Sequence, residues 1–594
     1  MSRAFTPQDL GFDPDALREK YRQERDRRIR PDGNSQYRRA AGEFGYYAVD
    51  PYTPRVEREP MHDRVEAVVV GGGFGGLLTG AELRRAGLAQ IRMVDEAGDF
   101  GGTWYWNRYP GIHCDIESSV YMPLLEEVGT VPTWRYAPGD DIRRHAVAIA
   151  KHFDLYRDTM FHTRVTELRW HSDAVEWQVR TDRGDDFRAR YVVVSSGTLT
   201  RLKLPGIPGI ETFRGHTFHT SRWDYGYTGG DANGGLHKLA DKRVGVVGTG
   251  ATGIQVIPHV GRDAQHLYVF QRTPSSVDVR ANRPLDPHWT AGLKPGWQRE
   301  RMDNFLTIVT GGHADPDMVG DGWTSTAHLQ TTYLTGSRSA LTDEELGVAD
   351  FQKMNALRAR VDEIVTDPDT AEKLKPWYRY MCKRPTFSDH YLQTFNRPNV
   401  TLVDTADTGG VTRMTEDSVV VGDREYKVDC VIFATGFEAG VSGVVSGTMP
   451  VYGRDGVPLL QSWSQGPRTL HGLYSHGFPN LFHLGSLQNA NSVNFVHVLQ
   501  EQAIHIGAVV AEARRRNALW VEPSVEAEEA WVATIREVAP DTIAFQAECT
   551  PGYYNNEGRP RPVNNSYGPG PVAFHELLRR WRANGGFDDV LVDA

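Results

Sequence analysis

The sequence predicts an α/β protein: two Rossmann-like dinucleotide-binding domains with a helical insertion and an N-terminal extension. Two observations carry that prediction. A glycine-rich strand-to-helix turn occurs twice, at residues 71–76 and 248–253. Around each turn, short apolar runs alternate with helical patterns, the rhythm of a parallel sheet.

The elements follow in chain order. Residues 13–30 read as a charged helix, with Pro14 near its start and Pro31-Asp32-Gly33 at its end. It predicts a surface helix and an arm packed on the main body. Ala67-Val68-Val69-Val70 is a buried strand that breaks into Gly71-Gly72-Gly73-Phe74-Gly75-Gly76 and then a helix over 77–86. Gly71 allows the tight turn, Gly73 lets a pyrophosphate reach the backbone, and Gly76 lets helix and strand approach. The helix N-terminus offers free N–H groups to phosphates. The next strand, 91–94, ends in Asp95, where an acid accepts a ribose 2′-OH.

Residues 98–111, Gly98-Asp99-Phe100-Gly101-Gly102-Thr103-Trp104-Tyr105-Trp106-Asn107-Arg108-Tyr109-Pro110-Gly111, are too rich in glycine and aromatics for regular structure. Aromatics there suit a flat isoalloxazine or nicotinamide ring. Asp115 follows and needs a basic partner if ionised. A helix is expected over 140–153. Strands are expected at Phe161-Thr163-Val165 and Val175-Trp177-Val179 by period-2 alternation, and at 190–194. A Pro/Gly linker, 204–209, leads to 213–224, which has no clear periodicity.

The second unit is Arg243-Val244-Gly245-Val246-Val247, then Gly248-Thr249-Gly250-Ala251-Thr252-Gly253, a helix to about 259, and a strand over 267–270. Arg272 and Thr273 stand where the first unit has Asp95. An arginine there pairs with a 2′-phosphate that an acid would repel. The pair of motifs therefore implies a flavoprotein that takes hydride from NADPH. Beyond 280 the chain turns polar and helical, most clearly over 341–365. Strands return at 399–403, 418–421, 430–434 and 481–485, and a long helix spans about 492–515. Both nucleotide domains are implied to be discontinuous. The N-terminal extension (1–60) is followed by the first FAD-binding segment (61–198), then the linker and first NADP-binding segment (199–278). After the helical insertion (279–381) come the second NADP-binding segment (382–430) and the second FAD-binding segment (431–594).

Bulk properties exclude several classes. The net charge of −10 argues against a nucleic-acid partner. No apolar run approaches the ~18 residues of a membrane span, and the polar N-terminus is no secretory signal. Cys114, Cys382, Cys430 and Cys549 are scattered, which predicts neither a metal site nor a redox pair, and a cytoplasmic, reduced setting.

Phe213-Arg214-Gly215-His216-Thr217-Phe218-His219-Thr220-Ser221-Arg222-Trp223-Asp224 fits F-x-G-x-x-x-H-x-x-x-W-[P/D] at every fixed position. It resembles the fingerprint of the Baeyer–Villiger monooxygenases, and lies between two nucleotide motifs as that family requires. The loop 101–111 with Cys114-Asp115 is similar to the family's flavin loop, and Phe433-Ala434-Thr435-Gly436-Phe437 to its second linker. The resemblance covers about 61–594. It implies FAD and NADPH as cofactors and a ketone and molecular oxygen as substrates. The product is a lactone or ester, made through a flavin C4a-peroxide.

By the same resemblance, Arg384 stabilises the peroxide and contacts Asp115. Lys383 helps Arg272 and Thr273 hold the 2′-phosphate. Gly102, Thr103, Trp104, Asp115, Tyr121 and Val165 join Gly71, Gly73, Gly76 and Asp95 around the flavin, and Gly248, Thr249, Gly250, Thr252 and Gly253 take the NADP pyrophosphate. Phe213, Gly215, His219, Trp223 and Asp224 form the linker fingerprint, of which His219 and Trp223 couple domain movement to catalysis. A histidine like His219 could equally be a core residue satisfied by backbone.

Two departures stand out: the extension, and the absence of a tryptophan in 547–556, where several relatives carry a mobile one. The extension resembles the subgroup acting on large or polycyclic ketones, terpenoid-lactone enzymes of the pentalenolactone type and antibiotic biosynthesis included. Three other readings compete. An N- or S-oxygenating flavin monooxygenase shares both nucleotide motifs, but its linker ends in an aromatic and a basic residue, not Trp223-Asp224. A flavin disulfide reductase needs paired cysteines near the flavin, and the sequence is expected to have none. A non-catalytic dinucleotide sensor would need no Arg384.

Overall fold

The computed structural model describes residues 10–334, 341–438, 447–560 and 566–593. Two sheets organise it. The first has seven strands, in the order Val451–Tyr452, Val165–His171, Glu176–Thr181, Asp186–Val194, Arg64–Val70 and Ile91–Val94, with Leu481–His483 also on Asp186–Val194. The strand Asp186–Val194 serves two purposes. Its first residues pair antiparallel with Glu176–Thr181, closing a meander. Its last three, all apolar, lie parallel between Arg64–Val70 and Leu481–His483. A run buried on both faces reads as continuous valine, and this one does.

The second sheet is wholly parallel: Val400–Asp404, His266–Gln271, Arg243–Val247, Cys430–Phe433 and His216–His219. The crossover back to the first sheet therefore follows Phe433, slightly later than residue 430. The helix Phe74–Arg85 carries the first glycine turn, and Phe495–Arg516 packs along it. Gly507 permits that approach, since a Cβ there would lie 2.8 Å from Glu82 Cβ. The helix Ala251–Asp263 carries the second turn. The insertion is helical, its longest member Asp343–Ile364, capped by Thr342 and Glu345 reciprocally. None of the described helices is long and apolar enough to cross a membrane.

Four local expectations change. The strand predicted from Phe161 begins at Val165; Phe161 instead packs its ring on Phe100. The glycine-aromatic loop contains one helical turn, Thr103–Trp106, entered through Gly102 at φ +54. The fingerprint segment contains the edge strand His216–His219, too short to show a period. The first helix is Pro14–Asp26, with Asp13 accepting from the N–H groups of Asp15 and Ala16.

The extension is more than a surface arm. Arg28 is buried, donates to Glu24, and its Nε reaches the carbonyl of Arg272 at 2.8 Å. Tyr37–Arg39 pairs antiparallel with the linker strand Lys203–Pro205. Asp50 accepts from Tyr105 Oη (2.5 Å) and Gly98 N (3.1 Å) and pairs with His162 (2.9 Å). It thus ties the extension to the aromatic loop.

Candidate active site

Both glycine turns open on one cavity of about 2810 Å³, far larger than the roughly 300–1,000 Å³ of a single small-ligand site. Its wall contains Gly71, Gly73, Asp95, Gly102, Thr103, Trp104, Asp115, Tyr121 and Val165 on one side. On the other it contains Gly248, Thr249, Gly250, Thr252, Arg272, Thr273, Lys383 and Arg384. Gly76 and Gly253 stand behind it. A Cβ on Gly76 would fall 1.8 Å from the carbonyl oxygen of Gly71, and one on Gly253 2.5 Å from that of Gly248. Those two glycines serve helix–strand packing.

Gly73 and Gly250 differ. Their φ values, −78° and −75°, suit any residue. A Cβ on Gly73 would make only an ordinary 3.5 Å contact, and one on Gly250 would meet nothing within 4 Å. The protein alone gives no reason for glycine there; a phosphate lying on the backbone does. The residues present thus fit two dinucleotides.

Asp95 is held by its own turn: one carboxylate oxygen accepts from Gly72 N, the other from Ala97 N at 2.7 Å. Burial raises its pKa, and the two N–H groups oppose that. Trp104 donates its indole N–H to Tyr121 Oη at 3.0 Å, fixing two aromatics in the cavity wall.

On the second side, Thr273 Oγ1 is buried with no partner among the described residues, as a group awaiting a ligand would be. Lys383 Nζ lies 3.4 Å from the Thr273 carbonyl. Burial, then the cations Arg272 and Arg28, lower its pKa to about 7. Each terminal nitrogen of Arg272 has an acceptor within the protein: one donates to Gln36 Oε1 (2.7 Å), the other to Glu557 Oε2 (2.9 Å).

Where the two sides meet, Arg384 Nη2 donates to both oxygens of Asp115 at 2.8 Å. Asp115, then Tyr554 and Tyr553 against the effect of burial, push the guanidinium pKa further above its ordinary value. The cation is permanent. Trp323, from the insertion, donates its indole N–H to the Asp115 carbonyl at 2.8 Å and lies 5.7 Å from Arg384 Cζ. Arg280 donates to the Cys114 carbonyl beside it.

The fingerprint residues do not line the cavity; they hold one another. A Cβ on Gly215 would strike the Phe213 ring at 2.4 Å and the Asp429 carbonyl at 2.7 Å. His219 is fully buried and its Nδ1 accepts from Ser221 N (3.2 Å). Burial, then Arg222, lower its pKa to about 3, so it is neutral. Its ring sits 5.7 Å from Phe437 of the second linker, bringing the two crossings together. Trp223 donates its indole N–H to Thr228 Oγ1 (3.0 Å), and its backbone N–H to Tyr52 of the extension (3.0 Å). Asp224 accepts from Tyr227 N and pairs with His216.

The cysteine expectation is overturned. Cys382 and Cys549 form a disulfide across 167 residues, while Cys114 and Cys430 are buried thiols. Spacing could not reveal the pair, because folding alone brings the segments together. The bond ties the residue before Lys383 to the loop carrying Tyr553, Tyr554 and Glu557. Trp323, Arg280, Gln36, Tyr37 and Glu557 also escaped sequence reading, since none belongs to a local pattern. His497, Glu501 and His575 cluster in the core, but Arg299 takes the Glu501 carboxylate, and Arg579 and Arg582 add positive charge that opposes a cation.

Comparison with known proteins gives consistent matches. Residues 132–287 match the model of the flavin-binding monooxygenase-like family, and 69–128 that of an NAD(P)-binding Rossmann-like domain. A Baeyer–Villiger monooxygenase of Streptomyces coelicolor is 60% identical over 99% of this chain and 98% of its own length. Pentalenolactone D synthase of Streptomyces arenae is 54% identical over 97% of this chain and 99% of its own. The solved polycyclic ketone monooxygenase of Thermothelomyces thermophila superposes with a TM-score of 0.91 at 40% identity, covering 97% of this chain and 98% of that one.

Proposed function

The chain belongs to the Baeyer–Villiger monooxygenases, and on that premise we propose that its substrate is a bulky ketone, cyclic or terpenoid, made into a lactone in antibiotic terpenoid biosynthesis. It is an FAD- and NADPH-dependent enzyme that inserts one atom of molecular oxygen beside a ketone carbonyl. The observation that carries the substrate reading is the near full-length similarity to pentalenolactone D synthase and to the polycyclic ketone enzyme, extension included. Incubation with a panel of cyclic, polycyclic and terpenoid ketones, read as mass gain of one oxygen, tests it. Turnover confined to small monocyclic ketones would refute it.

The geometry supports the following roles. When bound, FAD reduced by NADPH supplies the activated oxygen. Arg384 offers a fixed positive charge to the negative charge that develops on oxygen as the carbonyl is attacked. Asp115 orients that guanidinium through a bidentate grip, and Trp323 holds Asp115 in turn. Arg272, Thr273 and Lys383 receive the 2′-phosphate. The turns at Gly73 and Gly250 bind the two pyrophosphates, and Asp95 accepts a ribose hydroxyl. His219 and Trp223 brace the linkers. Tyr553 and Tyr554 cover the site where several relatives use tryptophan. The domain limits are those the sequence implies, with the last crossover after Phe433. Use of NADPH favours a cytoplasmic setting, one in which the Cys382–Cys549 disulfide has to withstand reduction.

A further inference from the structure

We propose that Glu557 is an internal stand-in for the 2′-phosphate of NADP(H): it fills the Arg272 site before the cofactor binds and yields it when the phosphate arrives. The inference rests on reading Arg272, Thr273 and Lys383 as the seat of that phosphate.

The geometry around Glu557 is that of an anion site. The side chain is 3% exposed. Oε2 accepts from Arg272 at 2.9 Å, Oε1 accepts from Tyr37 Oη at 3.1 Å, and Lys203 Nζ lies 3.7 Å away. Burial would raise its pKa, but Arg272 and Lys203 override that and hold it below the ordinary value. A buried carboxylate thus stays ionised among the cations that would receive a phosphate. Each terminal nitrogen of Arg272 already has a protein acceptor, Gln36 on one and Glu557 on the other. A phosphate monoester carries about 1.5 to 2 negative charges near pH 7, against one for a carboxylate. It therefore outcompetes Glu557 for the same guanidinium, and the two anions repel one another if both remain.

The backbone around Glu557 is held in a sparsely populated conformation. Asn556, Glu557 and Gly558 have φ of +52°, +57° and +82°, two of them side-chain-bearing residues in the left-handed region. The same loop carries Tyr553 and Tyr554 beside Arg384, and Cys549 anchors its start to Cys382. Release of Glu557 therefore shifts the cover of the reacting centre and leaves its anchor in place. The 2′-phosphate, remote from the chemistry, would report cofactor loading to that cover.

The alternative is that Glu557 permanently orients Arg272 for the cofactor. The two differ in sign. With full-length, FAD-loaded enzyme, the dissociation constants of 2′,5′-ADP and 5′-AMP are measured by calorimetry. Glu557→Gln should tighten 2′,5′-ADP about five- to tenfold and leave 5′-AMP unchanged. In the wild type, amide exchange over 549–558 should change with 2′,5′-ADP and not with 5′-AMP; this arm stands even if the variant folds poorly. Weakened or unaltered 2′,5′-ADP binding by the variant, or loop exchange indifferent to the phosphate, overturns the proposal and leaves the seat intact. Equal binding of both probes by the wild type removes the seat, and the proposal with it.

Discussion

At the scale of single residues, the cavity holds two cations in different electrostatic states. Arg384 is locked to Asp115 and permanently charged. Arg384→Ala should keep its FAD and continue to oxidise NADPH, while product formed per NADPH falls by about 10²–10³, the scale of losing an oxyanion-stabilising donor. Arg384→Lys should recover only a fraction, because a single ammonium held by Asp115 lacks the rest of the planar fork, whose free N–H groups would face the oxygen. Near wild-type oxygenation by the alanine variant would remove Arg384 from the mechanism. Lys383 is the opposite case, its pKa lowered to about 7 by burial and neighbouring cations. Only its protonated form attracts the 2′-phosphate, and the bound phosphate raises its pKa. NADP⁺ affinity should therefore fall as pH rises above 7, by at most about a decade per unit. Lys383→Met should flatten that dependence; an equally steep profile in the variant would assign the titration elsewhere.

At the scale of elements, the glycine turns separate folding from binding. Gly253→Ala puts a methyl against the Gly248 carbonyl, where backbone must shift. It should lower Tm, at a cost of about 1–3 kcal/mol for overpacking. Gly250→Ala meets open space and an ordinary φ. It should melt like the wild type yet bind NADP⁺ at least tenfold more weakly, because the methyl stands where the pyrophosphate must approach. Thermal melts beside cofactor titrations decide between the two. Similar effects of both substitutions would mean that Gly250 is structural.

Across the whole molecule, one covalent tie joins the segment before Lys383 to the loop over the active site. Alkylation of the denatured, unreduced protein should label Cys114 and Cys430 only. Cys549→Ser should lower stability by about 2–4 kcal/mol, a range that depends on how the unfolded chain is treated. It should also loosen the loop carrying Glu557, seen as faster amide exchange over 549–558. Labelling of all four cysteines would show the pair to be reduced. The extension acts at the same scale: Arg28, Gln36, Tyr37 and Asp50 reach Arg272, the linker strand and the aromatic loop.

What the sequence determined by itself is what short range dictates. A strand that breaks into G-x-G-x-x-G and enters a helix can form only one kind of turn, so both dinucleotide units were legible at Gly71–Gly76 and Gly248–Gly253. The acid at 95 and the arginine at 272 marked the two turns as different in charge, because charge at a strand end needs no tertiary information. The fingerprint from Phe213 to Asp224 was legible as a pattern, but its strand, His216–His219, was not. Four residues at a sheet edge carry too little periodicity, and parallel pairing with Cys430–Phe433 creates the strand. Tertiary structure alone decided the rest. It brought Cys382 to Cys549, placed Trp323 of the insertion on Asp115, and set Glu557 of one loop and Gln36 of the extension on the guanidinium of Arg272. Each of these contacts joins residues more than a hundred positions apart, and no local propensity encodes a contact whose partners meet only when the two sheets close on their shared cavity.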